Sequence, residues 1–200
     1  MISADVAAQF DLYLVRGFFD ARTCEEIIAE LCRAPDKPAP VYGLRESGAV
    51  DERVRKVSRL MPSAETVERV RRRLMECRAE VEAHFRISLS GCEDPQFLRY
   101  RVGDFFVAHQ DGNTGMLLSD REQWRKLSVV IFLNRQSETP EAGTYGGGSL
   151  VFSEWRPGRS QGQFGLSGEA GTLVVFPAET THEVIPVTYG ERYSIASWYG

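Results

Sequence analysis

The sequence predicts an α+β fold in which N-terminal helices pack on a double-stranded β-helix (jelly-roll, cupin-like) core. Two observations point to this fold class. An amphipathic helical period fills much of the first half, and short apolar segments alternate with turns from about residue 96 onward. The 200 residues, 42% hydrophobic and 26% charged, are expected to form one domain, helical over about 1–90 and jelly-roll over about 91–200.

Two helices are expected in the N-terminal half of the chain. Thr23 and Glu26 form a capping box, which satisfies free amides at the start of a helix. The second helix is expected after Ser63, where apolar residues recur every three or four positions: Val67, Val70, Leu74, Cys77, Val81 and Phe85. Because such an apolar stripe must be covered, we expect the second helix to lie against a sheet.

The C-terminal half predicts short strands rich in aromatic and β-branched residues, separated by stretches rich in Gly, Pro, Ser and Asn. Helices followed by such strands favour a double-sheet jelly roll. Two long polar segments, 135–147 and 156–171, are typical of binding lids on a rigid scaffold. The expected strands are Phe97–Arg101, Phe105–His109, Leu127–Leu133, Ser149–Phe152, Thr172–Phe176, His182–Val187 and Arg192–Trp198.

Composition limits the expected partners and location. A formal net charge of −4 disfavours nucleic acid as a partner, because an acidic surface repels phosphates. No apolar run approaches the roughly 20 residues that span a bilayer, so no membrane association is expected. The four cysteines lack CxxC spacing, which indicates a reducing, cytoplasmic location.

Three histidines are present, and two of them form a candidate metal site. His109 and Asp111 are two residues apart at the end of a predicted strand, so their side chains would share one face. His182 begins another predicted strand. Two imidazoles and one carboxylate form the facial triad of non-haem iron oxygenases. A surface His-Asp pair and an unrelated core histidine remain the alternative, and a metal role for His84 is disfavoured.

A candidate anion receptor follows His182 in the sequence. Arg192 and Ser194 share one face of a predicted apolar strand. An arginine that points into a β-barrel is costly unless an anion pairs with it, and its planar guanidinium matches a carboxylate. A metal site beside such a receptor would suit a dicarboxylate co-substrate. An exposed Arg192 is the alternative.

Several segments together resemble a known family, the prolyl 4-hydroxylase branch of the 2-oxoglutarate/Fe(II) oxygenases. The resemblance covers about residues 96–200 in order and with compatible spacing, and Gly17 to Asp20 is similar to the opening of that family. It is carried by Tyr100 to Asp111, Leu133-Asn134, Gly147 to Leu150, His182 to Ser194 and Trp198.

The resemblance implies a role for each site residue. His109, Asp111 and His182 would bind Fe(II), Arg192 with Ser194 would hold the distal carboxylate of 2-oxoglutarate, and Tyr100 would hydrogen-bond near its chelating end. The implied enzyme is a dioxygenase that uses Fe(II), 2-oxoglutarate and O₂ to hydroxylate an unactivated C–H bond. A need for ascorbate and the oligomeric state stay open.

The implied substrate is a prolyl residue of a protein or peptide, with a free amino acid or another small metabolite as the alternative. Phe132 stands where some relatives carry a tyrosine, so one hydrogen bond to the co-substrate would be absent. Asp111 argues against halogenase chemistry. Trp198, at a position where nucleic-acid demethylases carry a second arginine, argues against that branch.

Two further alternatives use the same β architecture. A cupin-type dioxygenase would need no 2-oxoglutarate, but would leave Arg192 and Ser194 without a purpose. A non-catalytic jelly-roll module could bind a sugar or a partner protein without iron. Tyr145, Trp155 and Arg156 would flank the active-site end of the barrel, where packing or exposure is a simpler interpretation than substrate contact.

Overall fold

The computed structural model describes residues 10–39, 51–112, 123–153 and 162–200. Its helices are α1 (Ala21–Leu31) and α2 (Ala64–Phe85). Its strands are β1 (Tyr13–Val15), β2 (Asp36–Pro38), β3 (Arg55–Lys56), β4 (Ser58–Leu60), β5 (Gln96–Tyr100), β6 (Phe105–His109), β7 (Leu127–Phe132), β8 (Gly146–Gly147), β9 (Leu150–Ser153), β10 (Gln163–Leu166), β11 (Leu173–Pro177), β12 (Thr181–Val184), β13 (Val187–Tyr189) and β14 (Arg192–Tyr199).

The strands form two main antiparallel sheets. The larger has the order β1-β11-β7-β14-β5-β4-β2, the smaller has the order β10-β9-β12-β6-β3, and β13 pairs with β8 apart from both. Apolar side chains from both main sheets form one hydrophobic cluster between them, with Phe132 and Phe176 from the larger sheet and Phe152 from the smaller. This double-sheet arrangement confirms the predicted α+β jelly-roll class.

Both faces of the larger sheet are covered, and successive residues of a strand serve different faces. Along β7, Val129 and Ile131 belong to a cluster that includes residues of both helices. Phe132 belongs to the cluster between the sheets, and Val130 packs against it. Because β7 is buried on both sides, its sequence is a nearly continuous apolar run rather than a strict alternation of apolar and polar residues.

Specific contacts join the helices to each other and to the sheet. The Tyr199 hydroxyl on β14 donates a hydrogen bond of 2.7 Å to the backbone carbonyl of Leu74 in α2. At the start of α2, the Glu30 carboxylate in α1 accepts from the Ser63 amide and from the Thr66 hydroxyl, each at 2.5 Å. Glu30 therefore connects the two helices where α2 begins.

The capping box predicted at Thr23 is wrong. Helix α1 begins two residues earlier, at Ala21, and its N-cap is Asp20, whose carboxylate accepts from the Thr23 amide at 2.8 Å. Both residue types can cap, but here the aspartate has extended backbone geometry and the threonine is helical. Helix α2 begins as predicted after Ser63, whose hydroxyl accepts from the Thr66 amide at 3.3 Å.

Each predicted strand segment contains a strand, but the segment His182–Val187 is divided into β12 and the start of β13. Pro186 lies between them and has no backbone N–H for a ladder. The sequence did not predict the short strands β1, β2, β3, β4, β8 and β10. Trp155 and Arg156 lie outside the described residues.

The structure also bears on the state of the cysteines and on the expected absence of a membrane-spanning segment. All four cysteines are free, and Cys77 is buried in α2 as its place in the apolar stripe predicts. Among the described residues, neither α1 nor α2 has the length and apolar character needed to cross a bilayer. The cytoplasmic location stays a prediction.

We expect Leu74→Ala to destabilise the protein by about 2–5 kcal/mol, because Leu74 is fully buried between α2 and the sheet. Urea unfolding would measure the loss. Arg72, which is exposed on the same helix, provides the control. Arg72→Ala should change the unfolding free energy by less than about 0.5 kcal/mol. Equal effects of the two substitutions would contradict the proposed burial of this helix face.

Candidate active site

The pairing of β12 with β6 brings the two candidate metal histidines together. His182 lies directly opposite His109 in the antiparallel register, and their ring centroids are 4.2 Å apart. Asp111 follows the end of β6. Its backbone amide donates to the carbonyl of Ala178 at 2.9 Å, so the chain just before β12 also positions the carboxylate.

The three side chains converge on a common point. The Asp111 carboxylate lies 3.4 Å from Nε2 of His109 and 3.5 Å from Nε2 of His182. One ligand atom from each of the three residues lies within 4.8 Å of the others. Metal–ligand bonds of about 2.0–2.2 Å to nitrogen and oxygen fit such a cluster after a small contraction.

Hydrogen bonds orient both imidazoles in the same way. Nδ1 of His109 lies 2.8 Å from the Val107 carbonyl, and Nδ1 of His182 lies 2.9 Å from the Thr180 carbonyl. A carbonyl oxygen can only accept, so each Nδ1 carries the proton and each Nε2 directs its lone pair towards Asp111. This tautomer is the one that binds a metal through Nε2.

Burial and mutual charge set the protonation of the cluster. Burial and the nearby His109 lower the pKa of His182 to about 4, although Asp111 opposes the shift. Burial acts to raise the pKa of Asp111, but His182, His109 and the Ser128 hydroxyl outweigh it and hold that pKa well below its usual value. A neutral imidazole and an ionised carboxylate are the forms that bind metal cations, so the residues present fit a divalent metal.

Arg192 is buried in β14, directly opposite Tyr100 on β5. Its guanidinium donates to the Ser194 hydroxyl at 2.7 Å and lies 4.9 Å from the Tyr100 ring centroid and 5.3 Å from that of Phe132. Within the described ranges, no carboxylate forms an ion pair with it. A buried guanidinium in this situation is suited to an anionic ligand.

One cavity of about 230 Å³ connects the two sites. The structure therefore brings together every site residue that the sequence predicted. The cavity is lined by all six of them, His109, Asp111, His182, Tyr100, Arg192 and Ser194. His84 lies elsewhere, at the end of α2, where it pairs with Asp11 at 3.4 Å.

Sequence reasoning missed several residues of this site. The Ser128 hydroxyl donates to the Asp111 carboxylate at 2.7 Å, and Arg125 donates to the Asp111 backbone carbonyl at 3.3 Å. Gln96 and Trp198 also line the cavity, and the buried side-chain oxygen of Gln96 and indole nitrogen of Trp198 have no hydrogen-bond partner among the described residues. Ser128 and Gln96 are polar residues in otherwise apolar strand segments, a signal that could have identified them.

A jelly roll that presents two imidazoles and a carboxylate to one cavity defines a class, the metal-dependent proteins of the double-stranded β-helix fold. The arginine at the other end of the cavity narrows that class to proteins that also bind an anion. The model of the 2OG-Fe(II) oxygenase superfamily matches residues 95–200, and the chain belongs to this superfamily. The resemblance predicted from the sequence is confirmed.

Individual proteins similar to this chain are hydroxylases. A PKHD-type hydroxylase from Shewanella oneidensis is 38% identical over 104 residues, which cover 52% of this chain and 41% of that protein. The chain thus spans about two-fifths of the length of the curated relatives that it matches.

Two solved structures share the fold over almost the whole chain. A prolyl-4-hydroxylase from Pseudomonas putida has a TM-score of 0.68 at 23% identity, with 98% of this chain and 95% of that chain covered. A prolyl hydroxylase from Trichoplax adhaerens, in complex with a hypoxia inducible factor peptide fragment, also has a TM-score of 0.68, at 16% identity with 98% and 86% covered. At these identities the likeness establishes the fold alone.

We expect Ser128→Ala to weaken divalent metal binding about 10- to 100-fold, because the lost hydrogen bond orients the Asp111 carboxylate. Titration of the metal-free protein with Mn(II) would measure the change. Ser90→Ala is the control, since it also removes a serine hydrogen bond, of 2.8 Å to the Gly200 carbonyl, outside the cavity. Unchanged Mn(II) affinity in Ser128→Ala would argue against this orienting role.

We expect the metal-free protein to lose stability in acid through His182. The unfolded state, with a histidine pKa of 6.5, binds more protons than the folded state, where the pKa is about 4. Stability therefore falls as the pH falls from 6.5 to 4, by up to about 3 kcal/mol from this one group.

Urea unfolding in the presence of a chelator, at several pH values across this window, would measure the effect. His182→Gln removes the titrating group and should show a shallower fall than the unmodified protein. His84→Gln should retain the steep fall. Parallel pH profiles for the unmodified and His182→Gln proteins would show that His182 does not titrate in this way.

Proposed function

We propose that the protein is an Fe(II)- and 2-oxoglutarate-dependent dioxygenase that hydroxylates an unactivated C–H bond. The observation that carries the proposal is a single cavity that holds both the His-Asp-His cluster and the buried Arg192, which has no carboxylate partner among the described residues. A cupin-type dioxygenase without 2-oxoglutarate, or a binding module without iron, would not need both sites.

Each residue then has a defined role. His109, Asp111 and His182 hold the iron, Arg192 and Ser194 bind the distal carboxylate of 2-oxoglutarate, and Tyr100 lies beside that co-substrate. Bound iron supplies the redox chemistry by which O₂ converts 2-oxoglutarate to succinate and CO₂ and one oxygen atom enters the substrate.

Aromatic rings support the candidate iron ligands. Phe106 stacks on the His109 ring with centroids 3.6 Å apart, and the Phe176 ring meets His182 edge-on at 4.8 Å. These rings restrict rotation of the imidazoles and keep water from their apolar faces. A fixed and partly dry ligand set favours oxidation of bound substrate over side reactions.

For the substrate, we propose a prolyl residue of a protein or peptide. The Trichoplax adhaerens prolyl hydroxylase with its bound peptide supports this class by likeness of fold. Gln96 and Trp198 add an observation from this chain: both line the cavity, and the Gln96 oxygen and the Trp198 indole N–H have unused hydrogen-bonding capacity. An acceptor and a donor together suit a substrate that carries peptide groups.

We expect His182→Ala to lower succinate formation at least about 100-fold, because the substitution removes one proposed iron ligand. Succinate would be measured after incubation with Fe(II), 2-oxoglutarate and O₂. His84→Ala is the matched control and should keep the unmodified rate, since His84 lies outside the cavity. Normal succinate formation by His182→Ala would end the metal assignment.

The substrate class can be tested with the same preparation. Proline-containing peptides and free amino acids would be incubated separately and searched by mass spectrometry for addition of one oxygen atom. Oxygen added to peptides alone supports the prolyl proposal. Oxygen added to a free amino acid alone would replace it with the small-metabolite alternative, with the cofactor assignment intact.

A further inference from the structure

Tyr145 is fully buried, and its hydroxyl has no hydrogen-bond partner among the described residues. The residue immediately precedes β8. Its backbone is held on both sides, by a hydrogen bond of its amide to the Arg135 carbonyl at 3.2 Å and by one from the Ser137 amide to its own carbonyl at 2.9 Å. The ring is therefore fixed in place while its polar end stays unsatisfied.

The neighbours of Tyr145 place it beside the guanidinium of Arg192. A methyl group built on Gly148 would lie 3.1 Å from Cδ of Arg192 and 3.2 Å from Cε2 of Tyr145, so the two side chains pack side by side over this glycine. A methyl group built on Gly168 would overlap the Tyr145 hydroxyl and approach Cδ1 of Phe132 to 2.9 Å. The hydroxyl thus lies near Phe132, one of the two aromatic rings beside the Arg192 guanidinium.

The charges at this position define what the hydroxyl can bind. Burial raises the pKa of Tyr145, and Arg192 only partly opposes the shift, so the phenol keeps its proton. A guanidinium has no lone pair to accept that proton. The hydroxyl therefore needs an acceptor, and Arg192 beside it needs an anion. One carboxylate placed between them would satisfy both groups.

We propose that the Tyr145 hydroxyl donates a hydrogen bond to the distal carboxylate of 2-oxoglutarate, as a third donor beside Arg192 and Ser194. The proposal rests on the proposed function and adds a residue to its carboxylate receptor. Tyr145 would supply this hydroxyl from the segment before β8, because Phe132, which lies near the Tyr145 hydroxyl on β7, has none of its own. Tyr145 thereby favours a 2-oxo acid with a second carboxylate over one without it.

The test compares two ligands that share the 2-oxo acid end. Isothermal titration calorimetry of the Mn(II)-loaded protein would measure the Kd of 2-oxoglutarate and of 2-oxobutyrate, which lacks the distal carboxylate. Tyr145→Phe removes only the hydroxyl. We expect it to weaken 2-oxoglutarate binding about 10-fold or more, the effect of one hydrogen bond to a charged group, and to leave 2-oxobutyrate binding within about 2-fold.

Tyr189→Phe is the matched control. Its hydroxyl donates to the carbonyls of Ser137 at 2.9 Å and Thr139 at 2.7 Å, which lie in the loop that leads to Tyr145. Among the described residues, no hydrogen bond joins the Tyr189 hydroxyl to Arg192. It should leave the Kd of 2-oxoglutarate unchanged. A structural role of Tyr145 would instead weaken both ligands equally in Tyr145→Phe, and that result would overturn the proposal.

The melting temperature of the ligand-free protein gives a second measurement. Because the Tyr145 hydroxyl has no partner there, Tyr145→Phe should be at least as stable as the unmodified protein, and its rise in Tm on adding 2-oxoglutarate should be smaller. Loss of stability without ligand would overturn the proposal. If the unmodified protein itself fails to bind 2-oxoglutarate, the proposed function fails; equal binding by both proteins rejects Tyr145 alone.

Discussion

The antiparallel register of β12 on β6 is the constraint on which the site depends. It sets His182 opposite His109, although the two residues are far apart in the chain. A shift of one residue would turn the His182 side chain to the other face of the sheet. The hydrogen bond from the Asp111 amide to Ala178, just before β12, ties the carboxylate to the same pair of segments. The backbone of two neighbouring strands thus positions all three candidate ligands.

Charge organises the rest of the cavity. The cluster at one end combines the ionised carboxylate of Asp111 with the neutral imidazole of His182, and the other end holds a buried guanidinium whose hydrogen-bond partner is the hydroxyl of Ser194. The cavity therefore contains two charges that a ligand can balance: the carboxylate can bind a cation, and the guanidinium can bind an anion. A ligand that chelates a metal at one end and carries a carboxylate at the other answers both. The superfamily to which the chain belongs takes its name from this pair of partners.

Much of the fold and of the site could be predicted from the sequence. The stripe from Val67 to Phe85 specified α2, and the short-range spacing of His109 and Asp111 followed from strand geometry. Tertiary contacts explain the misses. Asp20 and Thr23 are both good capping residues, and the chain path before α1 decides between them. Ser128 carries no sequence motif, so only the folded structure shows that it meets Asp111. The short strands β2 and β3 depend on pairing with distant segments rather than on local propensity.

The two-sided larger sheet has a consequence for how the protein can change. Along β14, Tyr193, Ile195 and Tyr199 belong to the hydrophobic cluster that includes the helices. Four residues of the same strand line the cavity instead: Arg192, Ser194, Ala196 and Trp198. Residues that affect stability therefore alternate with residues that affect ligand binding along the same strand. A designer could repack the helix-facing positions for heat resistance while the cavity lining keeps its identity, and natural drift could separate the two properties in the same way.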